Sequence, residues 1–341
     1  MSLSRIRPAT GTTIVLPLRR SCGTLGHMRT TPELEHYAAE FSGHRPHLTG
    51  VAYRLTGARA DAEDAVQEAW LRLAGLDEPG RAAIRDLRGW LTTVVGRICL
   101  DRLRSAPARR ERYVGQWLPE PVVTPFGAPP GDDPLEAAVR DDGLRMAAMV
   151  VLDRLTPEQR VAFVLHDAFG VPFAEIGDIL GCPPATARQH GSRGRRALEQ
   201  ADPPPRAELA HQRQVLEKFV AALLAGDIAA VTELLHPDVV LIGDANGKAR
   251  TARQIVAGPD KLARFLLGLL RKYAPETLTH GAPVLVNGDL GLWLPPAPGH
   301  DGFFALDERV QSMSIRDGRI VAIYDVVNPD KLTRITRPCG G

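Results

Sequence analysis

The sequence predicts a multidomain chain: two all-α domains, the second built on a helix-turn-helix, then a C-terminal α+β domain. Three observations predict it. From Thr31 to Gln200 the apolar residues recur with a helical period. Proline and glycine crowd into two breaks, residues 106–140 and 202–205. After the second break helices give way to short strands, with Asp317-Gly318 a strong hairpin signal between the last two.

Composition sets outer limits. A length of 341 residues suits two or three domains, and 44% apolar residues suffice for packed cores. The formal net charge is only +2, so any affinity for nucleic acid must come from local patches. Cys22, Cys99, Cys182 and Cys339 lack the close pairing of a zinc site, and nothing demands disulfides. A reducing cytoplasm is the simpler setting. No apolar run approaches the roughly 18 residues that cross a membrane, so no membrane partner is expected.

Residues 1–30 differ from the rest. Arg19 and Arg20 follow the apolar run Thr12 to Leu18, the reverse of a secretory signal. This stretch is read as a disordered leader, or as preceding a true start at Met28. Thr31 and Pro32 suit a cap and first turn, with Glu33 and Glu35 near the positive end of the helix dipole. Leu48, Val51, Ala52 and Leu55 form the next apolar stripe. Asp61 is read as capping a helix to Leu73, with Ala62, Val66, Ala69 and Leu73 inward. Its outer face carries Glu63, Asp64, Gln67 and Glu68. Residues 86–105 form a basic helix, apolar at Leu87, Leu91, Val94, Val95, Ile98 and Leu103 and cationic at Arg88, Arg97, Arg102 and Arg104. An acidic helix followed by a basic one suggests two different partners.

The linker, residues 107–140, is too rich in proline and glycine to hold a helix and is expected to be extended. Its Trp117, Leu118, Val122 and Val123 are unusually apolar for a free linker, so a docked segment is expected. Asp132 and Asp133 precede a helix expected from Leu135 to Leu155, and Thr156-Pro157-Glu158-Gln159 is a cap and first turn.

The helix-turn-helix runs from Val171 to Leu198. Phe173, Ile176, Gly177 and Leu180 lie on one face of its first helix, Gly181 makes the turn, and Pro183-Pro184 start the second helix. Ala187, His190, Gly191, Gly194 and Leu198 form an inner face. Arg188, Gln189, Ser192, Arg193 and Arg196 form an outer face without acids, suited to base edges and phosphates. The alternative is a solvated basic helix. Gly191 and Gly194 each cost about 1 kcal/mol relative to Ala in a helix interior. Either the helix frays when free, or the glycines allow close packing; His190 is read as a half-buried packing residue.

After Asp202 to Pro205, helices are expected at Val215 to Leu224, Ile228 to Leu235 (ended by His236-Pro237) and Lys261 to Tyr273. Strands are expected at Val239 to Ile242, Val284 to Val286, Leu290 to Leu294, Val310 to Arg316 and Ile320 to Val327. Helices against a curled antiparallel sheet make an α+β cone.

DAEDAVQEAWLRL (61–73), WLTTVVGRICLDRLRS (90–105) and the helix-turn-helix together resemble the bacterial extracytoplasmic-function (ECF) RNA polymerase sigma factors. WLPEP (Trp117, Leu118, Pro119, Glu120, Pro121) and NPDK (Asn328, Pro329, Asp330, Lys331) resemble the sigma-J-like subgroup, which carries a fused SnoaL-like, NTF2-like domain. The resemblance implies sigma region 2 at 31–106, the linker at 107–140, sigma region 4 at 141–202 and the SnoaL-like domain at 205–335. It implies that Asp61, Asp64, Gln67 and Glu68 grip core RNA polymerase at the β′ clamp, the β subunit being the further partner. It implies that Arg88, Arg97, Arg102 and Arg104 serve the −10 element of promoter DNA. Thr186, Arg188, Gln189, Ser192, Arg193 and Arg196 would serve the −35 element. Trp90 could stack on an unpaired base, but its helical position favours a core role. WLPEP, the turn containing Asp244, Gly247 and Lys248, and NPDK would be regulatory.

The resemblance implies no reaction, cofactor or metal. The cone fold also occurs in enzymes, which place an acid or base inside it. The available groups are Asp244, read as exposed in a turn, His236, read as a helix-end residue, Tyr324 and Asp325. They make no convincing acid–base pair. Two readings stay open: a sigma factor with a regulatory domain, or one whose C-terminal domain is also an enzyme or a sensor of a small ligand.

Overall fold

The computed structural model describes the backbone of residues 32–110, 113–129, 131, 133–142, 145–274 and 276–338. The leader, Met28 and the Thr31 cap lie outside the described residues. Helix α1 (Pro32–Thr56) is one continuous element passing through Pro46. It packs with α2 (Arg59–Ala74), a short α3 (Glu78–Ala82) and α4 (Leu87–Arg110). Asp61 lies in the first turn of α2 instead of capping it; Ala58 holds the N-cap position without a side-chain bond. Nor is the linker wholly extended. Helix α4 continues past Pro107, strand β1 (Val123–Pro125) forms, and helix α5 (Pro134–Asp142) begins inside it. The single helix expected from Leu135 to Leu155 is two, α5 and α6 (Met146–Asp153), with Arg145 in extended conformation at the α6 N-cap.

Thr156 opens α7 (Pro157–Phe163) with a capping box to Gln159. A π-helical turn (Val164–Ala168) follows, then α8 (Phe173–Leu180) and α9 (Pro184–Ala201). Gly181 ends α8 at φ 70°, the left-handed conformation glycine takes without steric cost.

The C-terminal domain begins with α10 (Leu209–Ala225) and α11 (Ile228–Glu233), followed by β2 (Leu235–Asp244) and β3 (Val256–Ala257). Helices α12 (Pro259–Leu270) and α13 (Glu276–Thr279) precede β4 (Ala282–Val286), β5 (Asp289–Leu294), β6 (Arg309–Arg316) and β7 (Arg319–Val326). A 3₁₀ turn, Pro329–Lys331, follows. Asp317 and Gly318, at φ 50° and 75°, make the β6–β7 hairpin. Two expectations fail here. His236-Pro237 does not end a helix but lies inside β2, and the sheet is not wholly antiparallel. Its order is β1-β4-β5-β6-β7-β2-β3, with β2 parallel to β7 because the two meet only after a long crossover.

Both faces of this sheet are covered. On one, Leu241, Ile315 and Ile323 meet Val215, Phe219, Leu262 and Leu266 from the helices. On the other, Val284, Val310, Tyr324 and Val326 meet Leu118, Val123 and Met146. Alternate residues of β7 therefore enter different cores, as a pleated strand requires. The two helical domains share a third core, in which Leu48, Val51, Leu91 and Val95 join Leu165, Ile176 and Ile179.

Candidate nucleic-acid and polymerase interfaces

Helix α9 is held close to its neighbours by its small residues. A Cβ on Gly194 would lie 2.7 Å from the Phe163 Cβ, and one on Gly191 would lie 3.0 Å from the Phe173 ring. The glycines thus serve close packing. Arg188, Gln189, Ser192, Arg193 and Arg196 are exposed on the opposite face, and Thr186 is half-buried in the first turn. The Arg188 guanidinium lies 5.5 Å from the centre of the Phe173 ring, which fixes its direction along the helix surface. Arg195 is used differently, paired through Nε with Asp167 at 2.8 Å. His190 is half-buried, and its Nδ1 has no hydrogen-bond partner among the described residues.

On α2, Asp64 and Gln67 are exposed, while Asp61 and Glu68 are half-buried. Glu68 pairs with Arg72 at 2.6 Å. Arg102 of α4 reaches Asp61 at 2.9 Å and Asp64 at 3.6 Å, so one cation assigned to DNA meets two acids assigned to polymerase. Arg88 and Arg97 are exposed, and Arg88 donates to His47 Nδ1 at 2.9 Å. Arg104 pairs with Glu158 of α7 at 3.1 Å. Trp90 is half-buried against the helical core. A Cβ on Gly96 of α4 would lie 3.0 Å from Leu165 and 3.4 Å from Ile179, so the two helical domains meet tightly beside the basic helix.

The linker is seated. Asp244 is not in an exposed turn but ends β2, with 0% exposure. Its Oδ2 accepts from the Leu118 N–H and the Lys331 ammonium, each at 2.7 Å. Its Oδ1 accepts from the Tyr113 hydroxyl. Asn328 donates to Tyr113 at 2.9 Å, and its backbone N–H donates to the Asp244 carbonyl, also at 2.9 Å. Lys331 also donates to the Leu118 carbonyl and lies 4.2 Å from the centre of the Trp117 ring. Burial lowers the Lys331 pKa, and the Asp244 carboxylate opposes that shift. Gly247 takes φ 69° in the following turn and packs on Val114, while Lys248 pairs with Asp330.

WLPEP faces the first helical domain on its other side. Trp117 covers Gly57, where a Cβ would lie 2.7 Å from the ring. Glu120 accepts from the Arg59 N–H at 2.8 Å, satisfying a free donor at the α2 N-terminus. Burial raises the Glu120 pKa, and this hydrogen bond partly offsets it. Pro119 and Pro121 are buried. Tyr53 donates to the Glu120 carbonyl at 2.6 Å.

Several contact residues escaped sequence reading: Tyr53, Tyr113, Arg145, Asn287 and Asp289. Only Asn287-Gly288, an Asn-Gly pair between two strands, carried a local signal. The others pair with residues far away in sequence.

Residues 41–109 match the family Sigma-70 region 2, and residues 145–198 match Sigma-70, region 4. The ECF RNA polymerase sigma factor SigJ of Mycobacterium tuberculosis is 52% identical over 301 residues, covering 86% of this chain and 93% of its own. The chain belongs to the ECF sigma factors. A probable ECF sigma factor of M. tuberculosis, SigI, is 32% identical over 313 residues, 89% of this chain and 97% of that one. The crystal structure of M. tuberculosis SigJ aligns with a TM-score of 0.73 at 49% identity, over 87% of this chain and 98% of that one. The helical domains of this sigma factor are therefore regions 2 and 4, and the α+β unit is its SnoaL-like domain. Sigma factors bind core RNA polymerase and promoter DNA and direct initiation at specific promoters; they are not enzymes. Among the described residues no helix is long and apolar enough to cross a membrane.

Proposed function

We propose that the SnoaL-like domain regulates this sigma factor by seating the linker and thereby holding regions 2 and 4 in a closed arrangement. The observation that carries this is the buried carboxylate of Asp244, which gathers Leu118, Tyr113 and Lys331 from two distant segments. In this reading the α9 face from Thr186 to Arg196 reads the −35 duplex. Arg88, Arg97, Arg102 and Arg104 serve the −10 element. Asp61, Asp64, Gln67 and Glu68 bind the β′ clamp of a cytoplasmic polymerase.

Distance supports the closed state as an inactive one. Helix α4 touches α8 and α8 touches α9. At 8–10 Å per packed helix pair, α9 lies within about 20 Å of α4. The −10 and −35 elements are about 25 base pairs apart, about 85 Å of duplex. Engaging both requires regions 2 and 4 to part.

The same reading takes the SnoaL-like domain as a brace, not a catalyst. Asp325 is already occupied: it accepts from Thr251 at 2.6 Å, from Gln311 at 3.0 Å and from Arg309 at 3.5 Å. The cavity beside Arg309 and Gln311 has about 60 Å³, room for a few waters.

The test is Lys331→Met in the full chain. Leaving Asp244 buried without its cation costs about 3–5 kcal/mol. Hydrogen exchange in the 115–123 segment should accelerate, and transcription with core polymerase should rise. Unchanged protection, or faster exchange in a folded variant with no gain in transcription, would refute the brace.

A further inference from the structure

The β4–β5 hairpin turn, Asn287-Gly288, carries two sets of contacts that point in different directions. On one side Asn287, 0% exposed, uses both ends of its amide. Its Nδ2 donates to the Tyr53 hydroxyl of region 2 at 3.0 Å, and its Oδ1 accepts from the Val122 N–H of the linker at 3.1 Å. Its backbone N–H donates to the Val122 carbonyl at 2.8 Å. Tyr53 in turn donates to the Glu120 carbonyl, so the bond directions are fixed along the chain of groups. On the other side Asp289, 3% exposed, accepts from Arg145, at the start of region 4, at 2.8 Å. It also accepts from Arg206, in the segment after region 4, at 3.0 Å. Arg145 donates as well to the Pro204 carbonyl, closing region 4 at both ends.

The two sides cannot move independently. Asn287 and Gly288, at φ 51° and 77°, form a two-residue turn closed by the Val286–Asp289 pair. A Cβ on Gly288 would lie 2.8 Å from the Arg206 guanidinium, so the turn is also flush against the region 4 side. We infer that this turn is a shared latch: Asn287 and Asp289 are positioning residues that tie region 2 and region 4 to the same rigid hairpin, so that release of one region loosens the other. The latch rests on the brace reading above but is separate from the Asp244 seat, and it lies outside the WLPEP and NPDK motifs. It gives the closed state a cooperative release in place of two independent dissociations.

The test is hydrogen exchange and small-angle scattering on the full chain, comparing wild type with Tyr53→Phe and Asp289→Asn. Tyr53→Phe removes a single oxygen from region 2. It should accelerate exchange about tenfold near Val122, and also at Met146 to Val150 in region 4. Asp289→Asn keeps the shape, removes the charge that holds both arginines, and should accelerate exchange at Glu120 to Val123 in return. Both variants should enlarge the radius of gyration. If each variant affects only its own side, the shared latch is wrong. Should Asp289→Asn fail to fold, Tyr53→Phe alone decides. Lys331→Met in parallel separates the two ideas: faster exchange at 115–123 there, with no cross-effect from the turn variants, leaves the seat standing and removes the latch.

Discussion

Which arginines of α9 are free decides where specificity can lie. Arg188 and Arg193 are exposed and, among the described residues, pair with no acid, Arg188 lying only against the Phe173 ring, whereas Arg195 is committed to Asp167. Replacing Arg188 or Arg193 by Ala should cost about 1–3 kcal/mol in binding a −35 duplex if the side chain reads a base, with relaxed selectivity at that position. If it meets only phosphate, binding should weaken evenly across sequences and the salt dependence should become shallower. Arg195→Ala should leave selectivity alone. Competition binding at several salt concentrations measures all three, and unchanged selectivity and salt dependence for Arg188 and Arg193 would take them out of the interface.

At the scale of the element, α9 sets a low intrinsic helix propensity against tight packing. Gly194→Ala should gain about 1 kcal/mol from propensity, but the new Cβ would lie 2.7 Å from Phe163. Overpacking of that kind costs about 1–3 kcal/mol, so the net effect should be destabilising, seen as a lower unfolding midpoint. A higher midpoint would mean that α9 is less tightly held than the structure has it. The same helix shows what was legible beforehand. Its start at Pro184, its turn at Gly181 and its inner face of Ala187, Gly191 and Gly194 follow from local rules. So do the capping box at Thr156 and the hairpin at Asp317. Asp244 did not, because a turn-like neighbourhood suggested exposure, while the burying groups, Tyr113 and Lys331, are 131 and 87 residues away. The parallel β2–β7 pair was hidden for the same reason. Strand pairing is set by tertiary contact, and a sequence states it only where a short turn joins the partners.

The whole molecule is organised by the linker. It lies between region 2 and the SnoaL-like domain, adds β1 to the sheet, and shares a core with the start of region 4. Regions 2 and 4 were readable as separate helical patterns, but their common core was not, since nothing in an amphipathic stripe names its partner. The resemblance of WLPEP and NPDK to a subgroup identified both segments; the structure adds that they meet on one carboxylate.

Strand β1 also has a consequence for the opened protein. It occupies an edge of the seven-stranded sheet, covering β4 from Val284 to Val286, and it ends in Pro125, which offers no N–H to a further strand. When the linker lifts away, β4 becomes a bare, largely apolar edge, the kind of surface on which another chain adds a strand. Activation would then carry a liability in concentrated solution. Any variant that frees the linker should associate with itself as concentration rises, while the closed chain does not, and sedimentation velocity over a concentration series measures the difference. An opened variant that stays monomeric throughout would show that the edge finds other cover.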